Sequence, residues 1–250
     1  VIYLDNTDVV LRVDNLSKLY KNGRGARNIS FELRRGDVLG LLGPNGSGKT
    51  STMKVIVGLC HPTDGKVEIF GRDVDRDYER ATEKVGSLIE APAIYDYLSA
   101  QKNVKLAANC HKGISSERTD QILDMVGLGR YKRDKVSRFS LGMKQRLGLA
   151  LALIGEPEVV VLDEPANGLD IEGIMEVRDL VHGLSEKRNV AFLISSHLAS
   201  EIERTCNMVA VMHEGEMLSF DTMENALRHS PTLEDYYLER VREKRGTKII

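Results

Sequence analysis

The stretch Gly43-Pro44-Asn45-Gly46-Ser47-Gly48-Lys49-Thr50 constrains this chain more than any other. It fits the pattern G-x-x-x-x-G-K-[ST]. An apolar run, Val38 to Leu42, precedes it, and residues that suit a helix, Thr52 to Leu59, follow. That order reads as buried strand, turn and helix. Glycines let a backbone curl so that successive N–H groups face inward, toward phosphate oxygens. A helix start adds partial positive charge at the same place. Gly43, Pro44, Asn45, Gly46, Ser47, Gly48, Lys49, Thr50 and the adjoining Ser51 are therefore candidates for a phosphate cradle. Lys49 is placed to reach the β- and γ-phosphates, and the Thr50 hydroxyl to sit on Mg²⁺.

The rest of the chain supplies the context for such a loop. Its 250 residues allow one large domain or two small ones. Net charge is −2, which calls for no nucleic acid. No run of about 18 apolar residues is present, so the chain is not expected to cross a membrane by itself. The chain opens on Val1, without Met, and its first residues do not read as a charged-then-apolar signal, so none is expected there. Cys60, Cys110 and Cys206 are scattered and lack C-x-x-C spacing, as expected of free thiols in a reducing compartment.

Strands are expected at Val9 to Val13, Ile29 to Leu33, Lys66 to Phe70, Val85 to Ile89 and Val190 to Ile194. Arg35-Gly36-Asp37 reads as a hairpin-like turn into the strand before the glycine loop. From Ser99 to about Leu153 the pattern becomes helical, with breaks near Gly113, Gly127 and Lys135. This reads as a helical insert between two halves of an α/β core. Ser140 is a candidate N-cap for the last of its helices, and Ser140 with Gly142 is also a candidate second anion site. Met208 to Met212 and Met217 to Phe220 flank His213-Glu214-Gly215, a hairpin pattern with His213 in the turn. His61, His111, His182 and His229 have no companions at ligand spacing. A last helix is expected over Leu233 to Arg245.

Val159-Val160-Val161-Leu162 is a β-branched run suited to a buried parallel strand, and it ends in Asp163 and Glu164. Two acids at the end of an apolar strand need a cation or a polar site to receive them. Asp163 suits the Mg²⁺ shell, and Glu164 suits general-base work on an attacking water. His197 follows the strand Val190 to Ile194 at the same sheet edge and can hydrogen-bond a terminal phosphate. Tyr20 has two open readings: a ring stacked on adenine, or an ordinary aromatic at a strand end.

Taken together, GPNGSGKT (43–50), SLGMKQ (140–145), VVVLDEP (159–165), NGLD (167–170) and His197 resemble the ATP-binding subunit of an ABC transporter, over essentially the whole chain. The resemblance implies a P-loop NTPase core with a RecA-like parallel sheet and an antiparallel β subdomain, plus an α-helical subdomain. On this division 1–98 and 155–225 form the catalytic core, 99–154 the helical subdomain and 226–250 a C-terminal helical extension. It implies ATP and Mg²⁺ as ligands and hydrolysis of ATP to ADP and phosphate. Tyr20 takes the adenine-stacking position. Ser140 and Gly142 take positions that contact the γ-phosphate of ATP held by a second, identical subunit in a head-to-tail dimer. Asp170 falls at that interface. The helical insert would couple dimer closure to an integral membrane subunit, and the chain would lie on the cytoplasmic face of the cell membrane.

Two residues depart from the family pattern. Glu90 stands where the family usually has Gln, and its charged oxygen binds Mg²⁺ more strongly than a neutral carbonyl. Ile171 stands where Pro commonly follows the aspartate. Glu90, in Leu-Ile-Glu-Ala-Pro-Ala, resembles the subgroup that exports or confers immunity to antimicrobial peptides, including bacitracin-type, lantibiotic and phenol-soluble-modulin transporters. The expected function is thus ATP-driven export of a peptide that the membrane subunit contacts. Import of a small solute, and a soluble ABC protein that uses ATP as a clamp, are the alternatives.

Overall fold

The computed structural model describes residues 8–246. Two sheets carry the fold. Strands β1 (Val9–Leu19), β2 (Gly25–Arg34), β4 (Asp64–Ile69) and β5 (Arg72–Asp73) form an antiparallel sheet in the order β2-β1-β4-β5. Strands β3 (Val38–Leu42), β6 (Val85–Leu88), β7 (Val159–Asp163), β8 (Ala191–Ser196), β9 (Met208–His213) and β10 (Glu216–Thr222) form the second, in the order β10-β9-β3-β8-β7-β6. All neighbours in it are parallel except the β9–β10 hairpin.

Strands β3, β7 and β8 are buried on both faces, which explains their largely apolar sequences. Alternate residues serve two cores. Leu39, Leu41, Val159, Val161 and Leu193 face the side that holds the antiparallel sheet and helix α1 (Lys49–Ile56). Val38, Leu42, Val160, Leu162, Phe192 and Ile194 join the core of the opposite side. There they meet helices α3 (Ala100–Ala108), α4 (Ser116–Met125) and α5 (Leu141–Leu153). Short 3₁₀ turns at Gly129–Tyr131 and Val136–Arg138 separate α4 from α5. Helix α2 (Tyr78–Thr82) precedes β6. Helices α6 (Ile171–Arg188), α7 (Ala199–Thr205), α8 (Met223–His229) and α9 (Leu233–Arg245) complete the chain.

Several elements differ from their sequence reading. Strand β1 runs on to Leu19 because irregularities between Val13 and Leu16 absorb Asn15, which sits at φ +49°. The turn Arg35-Gly36 forms, closed by Asp37 N–H donating to the Arg34 carbonyl at 3.1 Å. It joins two sheets rather than two paired strands, since β2 and β3 belong to different ones. His213 is not in the hairpin turn. It is the last residue of β9, paired with Glu216 and buried. Only Glu214 and Gly215, both at positive φ, make the turn, which is all a two-residue hairpin needs.

Candidate functional site

Strand β3 delivers the chain to Gly43 at the carboxyl edge of the parallel sheet, where ligands of open α/β sheets sit. A side chain at Gly43 would collide with the Met212 carbonyl of the neighbouring β9. Gly46 and Gly48 lie at φ +82° and +101°, backbone that glycine adopts without strain. Gly48 caps α1, so the loop ends on a helix N-terminus. Lys49, 5% exposed, turns its ammonium into the loop. Its Nζ donates to the carbonyls of Gly43 at 2.6 Å and Pro44 at 3.3 Å. Burial pulls the Lys49 pKa below the ordinary lysine value, and the nearby carboxylates of Glu164 and Asp163 oppose that shift.

Strand β7 brings the acid pair to the same edge. Asp163 is 4% exposed and fully engaged. The Thr50 hydroxyl donates to its carboxylate at 2.9 Å, and the Ser195 hydroxyl donates at 2.6 Å. The second bond follows from register, since Asp163 and Ser195 are partners across β7 and β8. The Ser195 oxygen also accepts from the Glu164 N–H at 2.9 Å, so one hydroxyl aligns both acids. Glu164 adopts a left-handed φ of +50° as the strand ends. Its Oε2 lies 2.8 Å from His197 Nδ1. Its Oε1 stands 3.6 Å from Lys49 Nζ and accepts no hydrogen bond.

Ser47 Oγ, in the glycine loop, is likewise buried without a partner. An unsatisfied buried polar atom costs about 1–3 kcal/mol. Two such oxygens, one in the loop and one beside its lysine, fit a site that receives polar atoms from a ligand. The donor set suits a nucleotide triphosphate: backbone N–H groups and one ammonium for phosphate, a hydroxyl and a carboxylate for a hard divalent cation, and a carboxylate bonded to an imidazole for water.

The remaining sequence candidates fall elsewhere. Tyr20 follows β1, is 42% exposed and has the Lys18 ammonium 5.6 Å from its ring centroid. Glu90 follows β6 at φ +59°, and its carboxylate binds Lys54 Nζ at 2.6 Å. That bond raises the Lys54 pKa. Ser140 caps α5 and accepts from Met143 N–H at 3.2 Å. Gly142 abuts Gly168, where a Cβ would come 3.0 Å from the carbonyl oxygen. Asp170 caps α6 and accepts from Gly173 N–H at 2.9 Å. Beside these, Leu141 is 67% and Ile171 81% exposed. Among the described residues, no hydrogen bond joins Ser140, Gly142 or Asp170 to the loop 43–50.

Two residues of the site escaped the sequence reading. Ser195 was visible only as one of two serines ending a strand, and its role depends on the β7–β8 register. Lys54 was visible only as a helix residue four positions past Thr50.

Residues 26–167 match the model of the ABC transporter family. The chain belongs to that family. It is 40% identical over 209 residues to the bacitracin transport ATP-binding protein BcrA of Bacillus licheniformis, covering 84% of this chain and 68% of the relative. It is 38% identical over 219 residues to the lantibiotic transport ATP-binding protein SrtF of Streptococcus pyogenes, covering 86% of this chain and 93% of the relative. A solved ATP-binding subunit of an ABC transporter superposes with a TM-score of 0.84 at 27% identity, over 93% of this chain and 99% of that one. This ABC chain is therefore an ATP-binding subunit and an ATPase with the fold of a P-loop NTPase. Among the described residues no helix is long and apolar enough to cross a membrane.

Proposed function

We propose that this ABC subunit powers export of an antimicrobial or amphipathic peptide, or immunity to one, through a separate membrane subunit at the cytoplasmic face of the membrane. The observation that carries this reading is the relationship to transport subunits named for bacitracin and for lantibiotics. Glu90 supports it, being one of the two residues that depart from the usual pattern and the one that resembles the peptide-exporting subgroup.

In this reading the backbone N–H groups of the loop Gly43 to Ser51 hold the phosphates, Pro44 having none and only shaping the turn, and Tyr20 takes the adenine. Bound Mg²⁺ would neutralise phosphate charge, with Thr50, Asp163 and Glu90 as its protein ligands. Lys49 leaves the loop carbonyls for phosphate oxygens, which offer it full negative charge. Glu164 takes a proton from the attacking water, and its Oε1, which accepts no hydrogen bond, is the oxygen available for that proton. His197, bonded to the other oxygen of Glu164, orients the carboxylate and meets the terminal phosphate. Ser140, Gly142 and Asp170 serve the ATP of a second copy in a head-to-tail pair. The pair closes on ATP and reopens after hydrolysis.

Purification from mild-detergent extracts of the native membrane tests the transport reading. The expected companion is a polytopic membrane protein, with peptide stimulating ATP hydrolysis of the complex. Co-purification with a solute-binding protein would make it an importer. Ribosomes or DNA as companions would make it a soluble ATP clamp.

A further inference from the structure

We propose that the carboxy-terminal helix α9 props the nucleotide loop, and that His213 is the positioning residue through which it acts. The contacts run in one line from the helix to the loop. Tyr237 on α9 places its hydroxyl 3.1 Å from His213 Nδ1. Arg245, in the last turn of the same helix, places a guanidinium nitrogen 3.4 Å from His213 Nε2. The guanidinium can only donate, so Nε2 accepts and Nδ1 carries the proton toward the tyrosine oxygen. Both ring nitrogens of a buried histidine are thus committed to α9. Glu214, 3.7 Å from Nε2, is the remaining charged group on the imidazole. Beside it, Lys244 of α9 binds Glu216, the strand partner of His213, at 2.6 Å.

His213 ends β9, and the turn that follows it touches the loop. Gly215 N–H donates to the Ser47 carbonyl at 3.2 Å. The Gly215 carbonyl accepts from Arg27 N–H at 2.7 Å, which ties the same turn to the start of β2. The Met212 carbonyl fills the space that a side chain at Gly43 would need. The loop is therefore backed at Gly43 and at Ser47 by residues one and two positions from His213. Gly215, at φ +86°, allows the turn to bend back far enough for these contacts. A helix that fixes His213 from outside fixes the backbone against which Ser47 and Gly43 rest.

This inference rests on loop 43–50 being the ATP site. It is tested on the purified chain by calorimetric ATP binding, ATP hydrolysis and thermal melting. Tyr237→Phe keeps shape and removes one bond, and His213→Leu removes both. Each should weaken ATP binding and raise KM roughly three- to tenfold, the equivalent of about one net hydrogen bond. Turnover at saturating ATP should stay within about twofold, because the lost contact is shared by ground and transition states. His213→Asn keeps a donor near the Nδ1 position and should recover most of the affinity. If His213→Leu fails to fold, Tyr237→Phe carries the test alone. Variants that melt earlier yet bind ATP as the wild type does would overturn the prop and leave the site standing. A wild-type chain that binds no ATP would overturn both.

Discussion

The loop edge and the Ser140–Asp170 edge are built to opposite standards. At the loop edge, Lys49, Thr50, Asp163, Glu164, Ser195 and His197 are joined by hydrogen bonds and one ion pair, around the buried Lys49, Asp163 and Ser195. At the other, among the described residues, Ser140 and Asp170 bond only their own helices, flanked by the exposed Leu141 and Ile171. Buried polar groups are positioned by the fold that desolvates them, whereas exposed caps are finished by whatever lands on them. The difference matches the proposal that the chemistry sits in a single chain and that a second copy closes the site.

The sharpest break in that comparison is at Glu164. Glu164→Gln should bind ATP with wild-type affinity and lose turnover by about 10²–10⁴-fold, the range for a general base. Near-normal turnover in steady-state hydrolysis would remove Glu164 from that role. Next is Ser140→Arg, which places a bulky cation at the exposed edge. It should cut turnover by roughly 10²-fold, as for loss of a phosphate-stabilising donor. ATP affinity of the dilute chain should not change if, as proposed, that edge serves another copy. Weakened binding by the dilute chain would join the two edges into one site.

A smaller effect is expected from Lys54. An exposed ion pair contributes about 0.2–1 kcal/mol, so Lys54→Met should tighten Mg·ATP binding by at most about fivefold as it frees Glu90. In a Glu90→Gln background the same change should do nothing. A shift that persists there, or appears equally with ATP and chelator, would mean that Lys54 acts on phosphate and not through Glu90.

The smallest effect lies away from both edges. Burial raises the Asp37 pKa against the opposing Arg34 N–H bond, so the carboxyl protonates more readily in the folded chain than in the unfolded one. A carboxyl raised on folding contributes stability at low pH that is lost as pH rises through its folded pKa. Asp37→Asn should therefore melt like the wild type in acid and above it near neutrality. Melting curves across that range read the sign directly.

Sequence carried the loop edge well because its signals are local. Gly43 to Thr50 specify their own backbone, and Val159 to Leu162 announce a buried strand that must end in something polar. What escaped depends on distant partners. Ser195 matters because β8 lies beside β7 with Asp163 opposite it. The carboxylate of Glu90 rests on Lys54 because β6 ends near α1. His213 reads as a turn residue in a hairpin sequence, and only the packing of α9 gives its ring two partners. Helix α2 and strand β5 are too short to leave a periodic signal.

The mass of the Glu164→Gln chain in solution, by sedimentation with and without Mg·ATP, tests most directly whether the site is shared between two chains. A monomer that doubles in mass when ATP is added, and stays single when Ser140→Arg is added to the same chain, is the predicted result. A chain that binds ATP and remains a monomer throughout the micromolar range would contradict it.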